Sequence, residues 1–332
     1  MSTIKDVAEL AGLSVATVSR YLNNSGYVSE NARKKISLAI KTLNYTPNEV
    51  ARSLYNKTSK LIGLLVPQID NPYFSNIIKG VESVCNKRGF HLIVSNVDNL
   101  RDEKKYMESF MTNNIAGIIS STGFLDDQSN TINCPIIGVD RAIDNFKHAV
   151  FYDEENGGKL SAQAIINSGC KNVLVGSGPK DLEIAEKRLK GALSILDKHS
   201  INYDIHYSKG YDYESAKDFV EFLKSSSTNY DSIIASSDLH ALTCSLYLNK
   251  IGACIPDDVQ IVGYDDTIFS KLSNPNISTI NHDGDLLGEK AAEMLIDLIE
   301  GKELENNKVQ LFSKLIEKDS LRKNSNPENL SL

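Results

Sequence analysis

Apolar side chains fall at Ile4, Val7, Ala8 and Ala11, a spacing that lines one face of a helix. Gly12 stands where that helix must stop, since a helix end commonly needs a left-handed residue. Ser14 is placed to cap a second helix, with Val15, Val18 and Leu22 as its inward stripe. Two short helices around a three-residue turn containing glycine predict a helix-turn-helix. Ser29 caps a third helix with the stripe Ala32, Ile36, Ala39, Ile40 and Leu43. Together the three helices give a small all-α head with its own core.

Past Tyr45 the pattern breaks. In TPNEVARSLYNKTSK (46–60), Pro47 interrupts the chain, and Val50, Ala51 and Leu54 share one face over about two turns. An isolated helix needs roughly 12–15 residues to persist in water, so this segment is expected to order only against a partner or DNA.

From Lys60 the period changes again. Apolar runs occur at LIGLLV (61–66), HLIVSN (91–96), AGIISS (116–121), PIIGVD (135–140), NVLVGS (172–177), SIIASS (232–237) and VQIVGY (259–264). Helical patterns such as Ile77–Lys87 and Glu183–Leu196 lie between most of them. Strands buried on both faces and joined by helices predict parallel sheets covered on either side, and this many strands suit two α/β lobes better than one sheet.

Composition adds little until the chain is divided. The 332 residues carry a net charge of −7, but residues 1–60 hold nine Lys/Arg against four Asp/Glu, a net of +5. The remainder carries 27 against 39, a net of −12. A basic head on an acidic body is expected when one small module meets a polyanion. The second helix then offers the chemistry: Ala16, Thr17, Ser19, Arg20 and Asn23 are left pointing outward. Arg20 suits bidentate contact with guanine O6 and N7, while Thr17, Ser19 and Asn23 suit phosphates.

These residues carry a resemblance. IKDVAELAGLSVATVSRYLN followed by YTPNEVARSL resembles the head and hinge of the lactose-repressor (LacI/GalR) family of bacterial transcription regulators. The resemblance implies a homodimer with two heads in adjacent major-groove half-sites of a pseudo-palindromic operator, with Val15, Ala16 and Arg20 at the base-reading positions. It also implies hinge helices paired in the minor groove, where Leu54 would wedge into a base step beside Arg52, as minor-groove bending requires. The expected organisation is a helix-turn-helix head at 1–46, a hinge at 47–59, and a core at 60–332. That core resembles the periplasmic sugar-binding type, two α/β lobes with the chain crossing near 155, 283 and 318.

In such folds ligands bind beyond the carboxyl ends of strands. Asn71, Tyr73 and Phe74 follow the first strand, Asp140 and Arg141 the fourth run, and Asp265 and Asp266 the last. Arg188 lies on the helix after NVLVGS, Tyr211 and Tyr213 open another crossover, and Ser237 ends SIIASS. Aromatic faces with Asp, Asn and Arg suit a small polyhydroxylated ligand. Asn71, Tyr73, Phe74, Asp140, Arg141, Arg188, Tyr211 and Asp265 are also similar to the corresponding positions of ribose-type binding proteins. Ser237 departs from the usual Asn and His282 from the usual Gln. Asp266 is expected to cap or pair locally.

The expected function is therefore a sequence-specific DNA-binding repressor of carbohydrate use, controlled by a sugar or sugar phosphate between its lobes. Rival readings are a core answering to a phosphocarrier protein, a purine effector, or a sugar-handling enzyme or binding protein with an appended head. Catalytic motifs argue against the enzyme: VGSGPKD (175–181) lacks the third glycine of a dinucleotide loop, and no P-loop, nucleophile elbow or zinc signature occurs, so no cofactor or metal is expected. Five scattered cysteines without C-x-x-C fit reduced thiols. No apolar run approaches the ~20 residues of a membrane span, and the first residues lack a secretory h-region, so a cytoplasmic protein is expected.

Overall fold

The computed structural model describes residues 2–23, 25–46, 59–97, 99–122, 132–141 and 143–323, without the side chain of Leu100. The chain divides into two units, Met1–Ser59 and Lys60–Leu332.

In the first unit, α1 (Ile4–Ala11) starts from a reciprocal cap in which Thr3 and Asp6 each bond the other's backbone N–H. It ends at Gly12, whose φ of 65° is the left-handed conformation the sequence calls for. Ser14 Oγ accepts from the Thr17 N–H (3.2 Å) at the start of α2 (Val15–Asn23), and Ser29 caps α3 (Glu30–Thr42). Val7, Ala8, Ala11, Val18, Val28, Ile36 and Ala39 form the core. One expectation is corrected: Val15 is 41% exposed and does not belong to the inward stripe, which is Val18 with the half-buried Tyr21 and Leu22. As the first residue of α2, its side chain leans toward the helix start and past the packed turn. The segment carrying Arg52 and Leu54, residues 47–58, lies outside the described residues.

The second unit contains two six-stranded sheets. Lobe 1 orders its strands β11-β5-β4-β3-β1-β2, all parallel: β1 (Leu61–Val66), β2 (His91–Asn96), β3 (Gly117–Ser120), β4 (Ile136–Val139), β5 (His148–Tyr152) and β11 (Lys308–Leu311). Helices α4 (Pro72–Arg88), α5 (Leu100–Thr112) and α11 (Gly284–Ile299) belong to this lobe's sequence and packing. Lobe 2 runs β12-β10-β9-β8-β6-β7: β6 (Asn172–Ser177), β7 (Asn202–Tyr207), β8 (Ser232–Ile234), β9 (Gln260–Tyr264), β10 (Ser278–Asn281) and the antiparallel edge β12 (Lys314–Ile316). Its helices are α6 (Glu154–Asn167), α7 (Glu183–Lys198), α8 (Tyr213–Ser225), α9 (Asp238–Lys250) and α10 (Ile268–Leu272).

The seven apolar runs are all strands, with SIIASS shortened because Ser237 caps α9. The strands not read from sequence are β5, β7, β10, β11 and β12. Two of them, β7 (NYDIHY) and β11 (KVQL), are edge strands of alternating character whose exposed face carries polar residues. The chain passes between lobes before α6 and before α11. The third passage is corrected from 318 to Phe312–Ser313, because β12 already pairs with β10 (Thr279 opposite Ile316) in lobe 2.

Each lobe is pinned beside these passages by a backbone-close helix pair. A Cβ on Gly80 or Gly288 would overlap backbone of the facing helix across α4–α11, and one on Gly158 or Gly191 would do so across α6–α7. The second pair decides the site, since it presses the helix bearing Arg188 onto the start of α6.

Candidate functional site

Two surfaces carry the candidate chemistry. On the first unit, Val15, Ala16 and Arg20 are exposed along one side of α2, with Thr17, Ser19 and Asn23 half-buried beside them. Ser14 and Thr17 bond each other through their hydroxyls (2.9 Å), and Asn23 Nδ2 donates to Ser19 Oγ (3.3 Å). Those polar side chains are thus pre-ordered around the start of α2, while Arg20 stands in solvent.

The second surface is the cleft of the core. Asn71 caps α4, accepting from the Tyr73 N–H (3.0 Å), and this places Tyr73 and Phe74 on the first turn at the cleft. The Tyr73 hydroxyl donates to Asp140 Oδ1 (2.8 Å). Asp140 follows β4 with a φ of 66°, a left-handed backbone that Asp tolerates better than most residues and that turns the next residue, Arg141, into the cleft. Arg141 lies 5.3 Å from the Phe74 ring centroid, and its Nε is 3.6 Å from Asp140, an ion pair too long for a hydrogen bond. That Nε has no hydrogen-bond partner among the described residues.

Lobe 2 answers with Arg188, Tyr211 and Asp265. Arg188 lies flat on the Tyr264 ring, 3.5 Å from its centroid, and donates Nε (3.0 Å) and Nη2 (2.8 Å) to Glu154 Oε2 and Nη1 to the Ser236 carbonyl (3.3 Å). Burial opposes the charge on Arg188, but Glu154 beside it, with Tyr264 and Tyr211, holds the guanidinium well above its ordinary value. Burial pushes the Glu154 carboxyl up, against the pull of Arg188. Asp265 follows β9 in the left-handed region (φ 93°). Burial pushes its carboxyl up to about 8, with Arg188 opposing and Asp238, Asp140 and Glu154 adding to it. This carboxylate is half-buried and accepts from no described residue, and the Tyr211 hydroxyl beside it is buried and has no hydrogen-bond partner among the described residues.

Eight residues singled out in the sequence therefore line one cavity: Asn71, Tyr73, Phe74, Asp140, Arg141, Arg188, Tyr211 and Asp265. Ser237 lines an adjoining cavity of about 360 Å³ that shares Asn71, Tyr211 and Asp265 with the first. Its hydroxyl accepts from the His240 N–H (3.4 Å) and lies 3.0 Å from that ring's Nδ1, so its first duty is to cap α9. His282 sits behind the cleft wall, 1% exposed, its ring 4.1 Å from Tyr152, 5.3 Å from Tyr264 and 5.7 Å from Tyr73 between centroids. Burial lowers its value to about 3, so the ring is neutral. Asp266 pairs with Lys318 (3.0 Å), 52 residues on, and its carboxylate lies 3.6 Å from Lys271 Nζ.

One residue was missed. Glu154 reads in sequence as an ordinary acid in a helix's first turn, and nothing there announces a partner 34 residues away. Asp238 follows Ser237 and is 1% exposed; it accepts from the Thr267 N–H (2.6 Å), the Thr267 hydroxyl (3.0 Å) and the Thr279 hydroxyl (2.6 Å). It is a structural tie between β10 and the start of α10, with burial pushing its carboxyl up to about 6.

Comparison with known proteins identifies the two kinds of domain. Residues 3–48 match the model described as bacterial regulatory proteins, lacI family, and residues 162–321 match a periplasmic binding protein-like domain. The ribose operon repressor of Bacillus subtilis (strain 168) is 38% identical over 325 residues, covering 97% of this chain and 99% of that protein. That of Lactococcus lactis subsp. lactis (strain IL1403) is 36% identical over 323 residues, covering 97% and 98%. The solved structure of the lac repressor dimer bound to operator and the anti-inducer ONPF matches with a TM-score of 0.87 at 26% identity, over 97% of this chain and 99% of that one. No described helix is long and apolar enough to cross a membrane.

Proposed function

The chain belongs to the lacI family of bacterial regulatory proteins, DNA-binding repressors with a ligand-binding core, and from that premise we propose that it represses a ribose-type sugar operon and binds a pentose between its lobes. The observation that carries this reading is the single cavity lined by eight residues from both lobes, in which unpartnered polar atoms stand among aromatic faces. A sugar presents apolar C–H faces to rings and hydroxyls that both donate and accept, which is the complement of that lining.

In this reading Asn71, Tyr73, Phe74, Asp140, Arg141, Arg188, Tyr211 and Asp265 contact the sugar, with Ser237 at the edge and His282 supporting Tyr73. A ligand touching both walls favours the closed arrangement of the lobes by its differential affinity for it, and the three passages at 152–154, 282–284 and 312–313 are where the backbone must bend. Operator and effector affinities are then coupled, and reciprocally so. Val15, Ala16 and Arg20 read bases, while Thr17, Ser19 and Asn23 hold phosphates. Arg52 and Leu54 complete the minor-groove contact by resemblance. A second copy of the chain is the expected partner, and the exposed Leu246 of α9 and Ile251 just past its end, with Ile268 and Leu272 of α10, support it.

The test is in two parts. D-ribose should raise the melting temperature of the purified protein, as any ligand of the native state does. Arg20→Ala should lose about 1–3 kcal/mol of preference at one operator base pair while binding to unrelated DNA persists. No stabilisation by any sugar would move the reading to a core that answers to a phosphocarrier protein. An unchanged operator preference in Arg20→Ala would remove Arg20 from base reading.

A further inference from the structure

Glu154 opens α6 where the chain passes from lobe 1 into lobe 2, and it is 5% exposed. Its Oε2 receives three donors: Nε and Nη2 of Arg188 and the Tyr264 hydroxyl (3.3 Å). Its Oε1 has no hydrogen-bond partner among the described residues and lies 3.3 Å from Nε2 of the neutral His282. A guanidinium binds phosphate or carboxylate through a pair of N–H groups on one edge. In Arg188 the Nε/Nη2 edge is already occupied, by a carboxylate belonging to the protein. Of its five N–H donors, two go to Glu154 and one to the Ser236 carbonyl, leaving two to bond hydroxyls singly.

The rest of the cleft points the same way. The carboxylates of Asp140 and Glu154 pair with the two guanidinium groups, Arg141 and Arg188, so a phosphoryl group would enter a site without a spare positive charge. Asp140, Glu154 and His282 also each hold one donor atom within 4.8 Å of the others, a spacing a divalent metal could use. The positive charge at that spot is already supplied by Arg188 on Oε2, and the N-terminus of α6 disfavours a further cation.

We propose that Glu154 is a specificity-determining residue, a built-in anion on the anion-receiving edge of Arg188 that restricts the effector to uncharged polyhydroxylated molecules and rejects their phosphates. This inference rests on the cleft being the effector site. It replaces the broader expectation of a sugar or sugar phosphate with the neutral sugar.

The experiment compares wild type and Glu154→Gln, each titrated calorimetrically with D-ribose and D-ribose 5-phosphate and melted in increasing inorganic phosphate. Wild type should bind the sugar at least tenfold more tightly than its phosphate and show no phosphate-dependent stabilisation. Glu154→Gln, with the Arg188 edge open, should gain a melting temperature that rises with phosphate concentration. Tighter binding of the sugar phosphate by wild type overturns the proposal, as does a folded Glu154→Gln indifferent to phosphate. If Glu154→Gln does not fold, the wild-type preference alone decides. If wild type binds neither compound but the variant gains phosphate stabilisation, the pentose reading fails and the role of Glu154 stands. If wild type binds ribose but the variant gains nothing, the reverse holds.

Discussion

The two walls of the cleft use the same residue types in opposite states. In lobe 1 the carboxylate is satisfied, since Asp140 accepts from Tyr73, while the cation beside it, Arg141, leaves Nε without a hydrogen-bond partner. In lobe 2 the cation is satisfied, with Arg188 held by Glu154, Ser236 and the Tyr264 face, while the acid, Asp265, accepts from no described residue. Lobe 1 thus presents an open donor and lobe 2 an open acceptor. A hydroxyl group is both, so one polyol can complete both walls, and neither wall is complete without it. A buried polar atom left unpartnered is costly, so a ligand that supplies the missing partner would gain that much by binding.

The largest break in this comparison is Arg188→Ala. It leaves Glu154 as an uncompensated buried charge, so stability should fall by about 3–5 kcal/mol in chemical denaturation, and ribose stabilisation should vanish. A ribose response surviving this change would mean that the cleft is misassigned.

Asp265→Asn is the next. Above about pH 9, where the Asp265 carboxyl is ionised, hydrogen bonds to this charged acceptor contribute roughly 1.5–3 kcal/mol, so ribose affinity there should drop about 10- to 150-fold while the fold remains. It also has a pH signature. Asp265 is held near 8 in the folded state and at the ordinary carboxylate value unfolded, so between these values the native state holds the extra proton and stability falls as pH rises. His282 and His240, lowered to about 3 and about 4, act with the opposite sign but only below about 6.5, and Asp238 finishes near 6. From pH 6.5 to 8 the ligand-free wild type should therefore lose stability, by at most about 1.4 kcal/mol per pH unit for this one group. Asp265→Asn should flatten that slope, and equal slopes in both proteins would show that Asp265 does not titrate there.

The smallest change sharpens the comparison from the other side. Tyr73→Phe removes the donor to Asp140 and gives lobe 1 an open acceptor like that of lobe 2. We expect a stability loss of about 1.5 kcal/mol and a smaller affinity loss than in Asp265→Asn, measured by denaturation and calorimetry. A larger affinity loss than that of Asp265→Asn would reverse the roles assigned to the two walls.

The head was legible almost whole because its elements are local. Helical period, Gly12 and the caps at Ser14 and Ser29 act within a few residues of one another, and only Val15 was misplaced, being the first residue of its helix. The strands buried on both faces were legible for the same reason, as continuous apolar runs, whereas β7 and β11, edge strands with one polar face, were not. The eight residues that line the cavity could be named in advance partly because ligands in α/β folds bind beyond strand ends, and as a set only through the resemblance to ribose-type binding proteins.

By itself, then, the sequence determined the kind of each unit, the helices of the head and the candidate side chains of the cleft. Only the tertiary structure decided which of those side chains are already satisfied and which are open. Glu154 meets Arg188, Tyr73 meets Asp140, and Asp238 ties Thr267 to Thr279 across separations of 34, 67 and up to 41 residues. Periodicity and capping report on neighbours along the chain. Hydrogen-bond satisfaction depends on neighbours in space, set here by glycines such as Gly158 and Gly191 that let two helices close until an arginine and a glutamate share one buried edge.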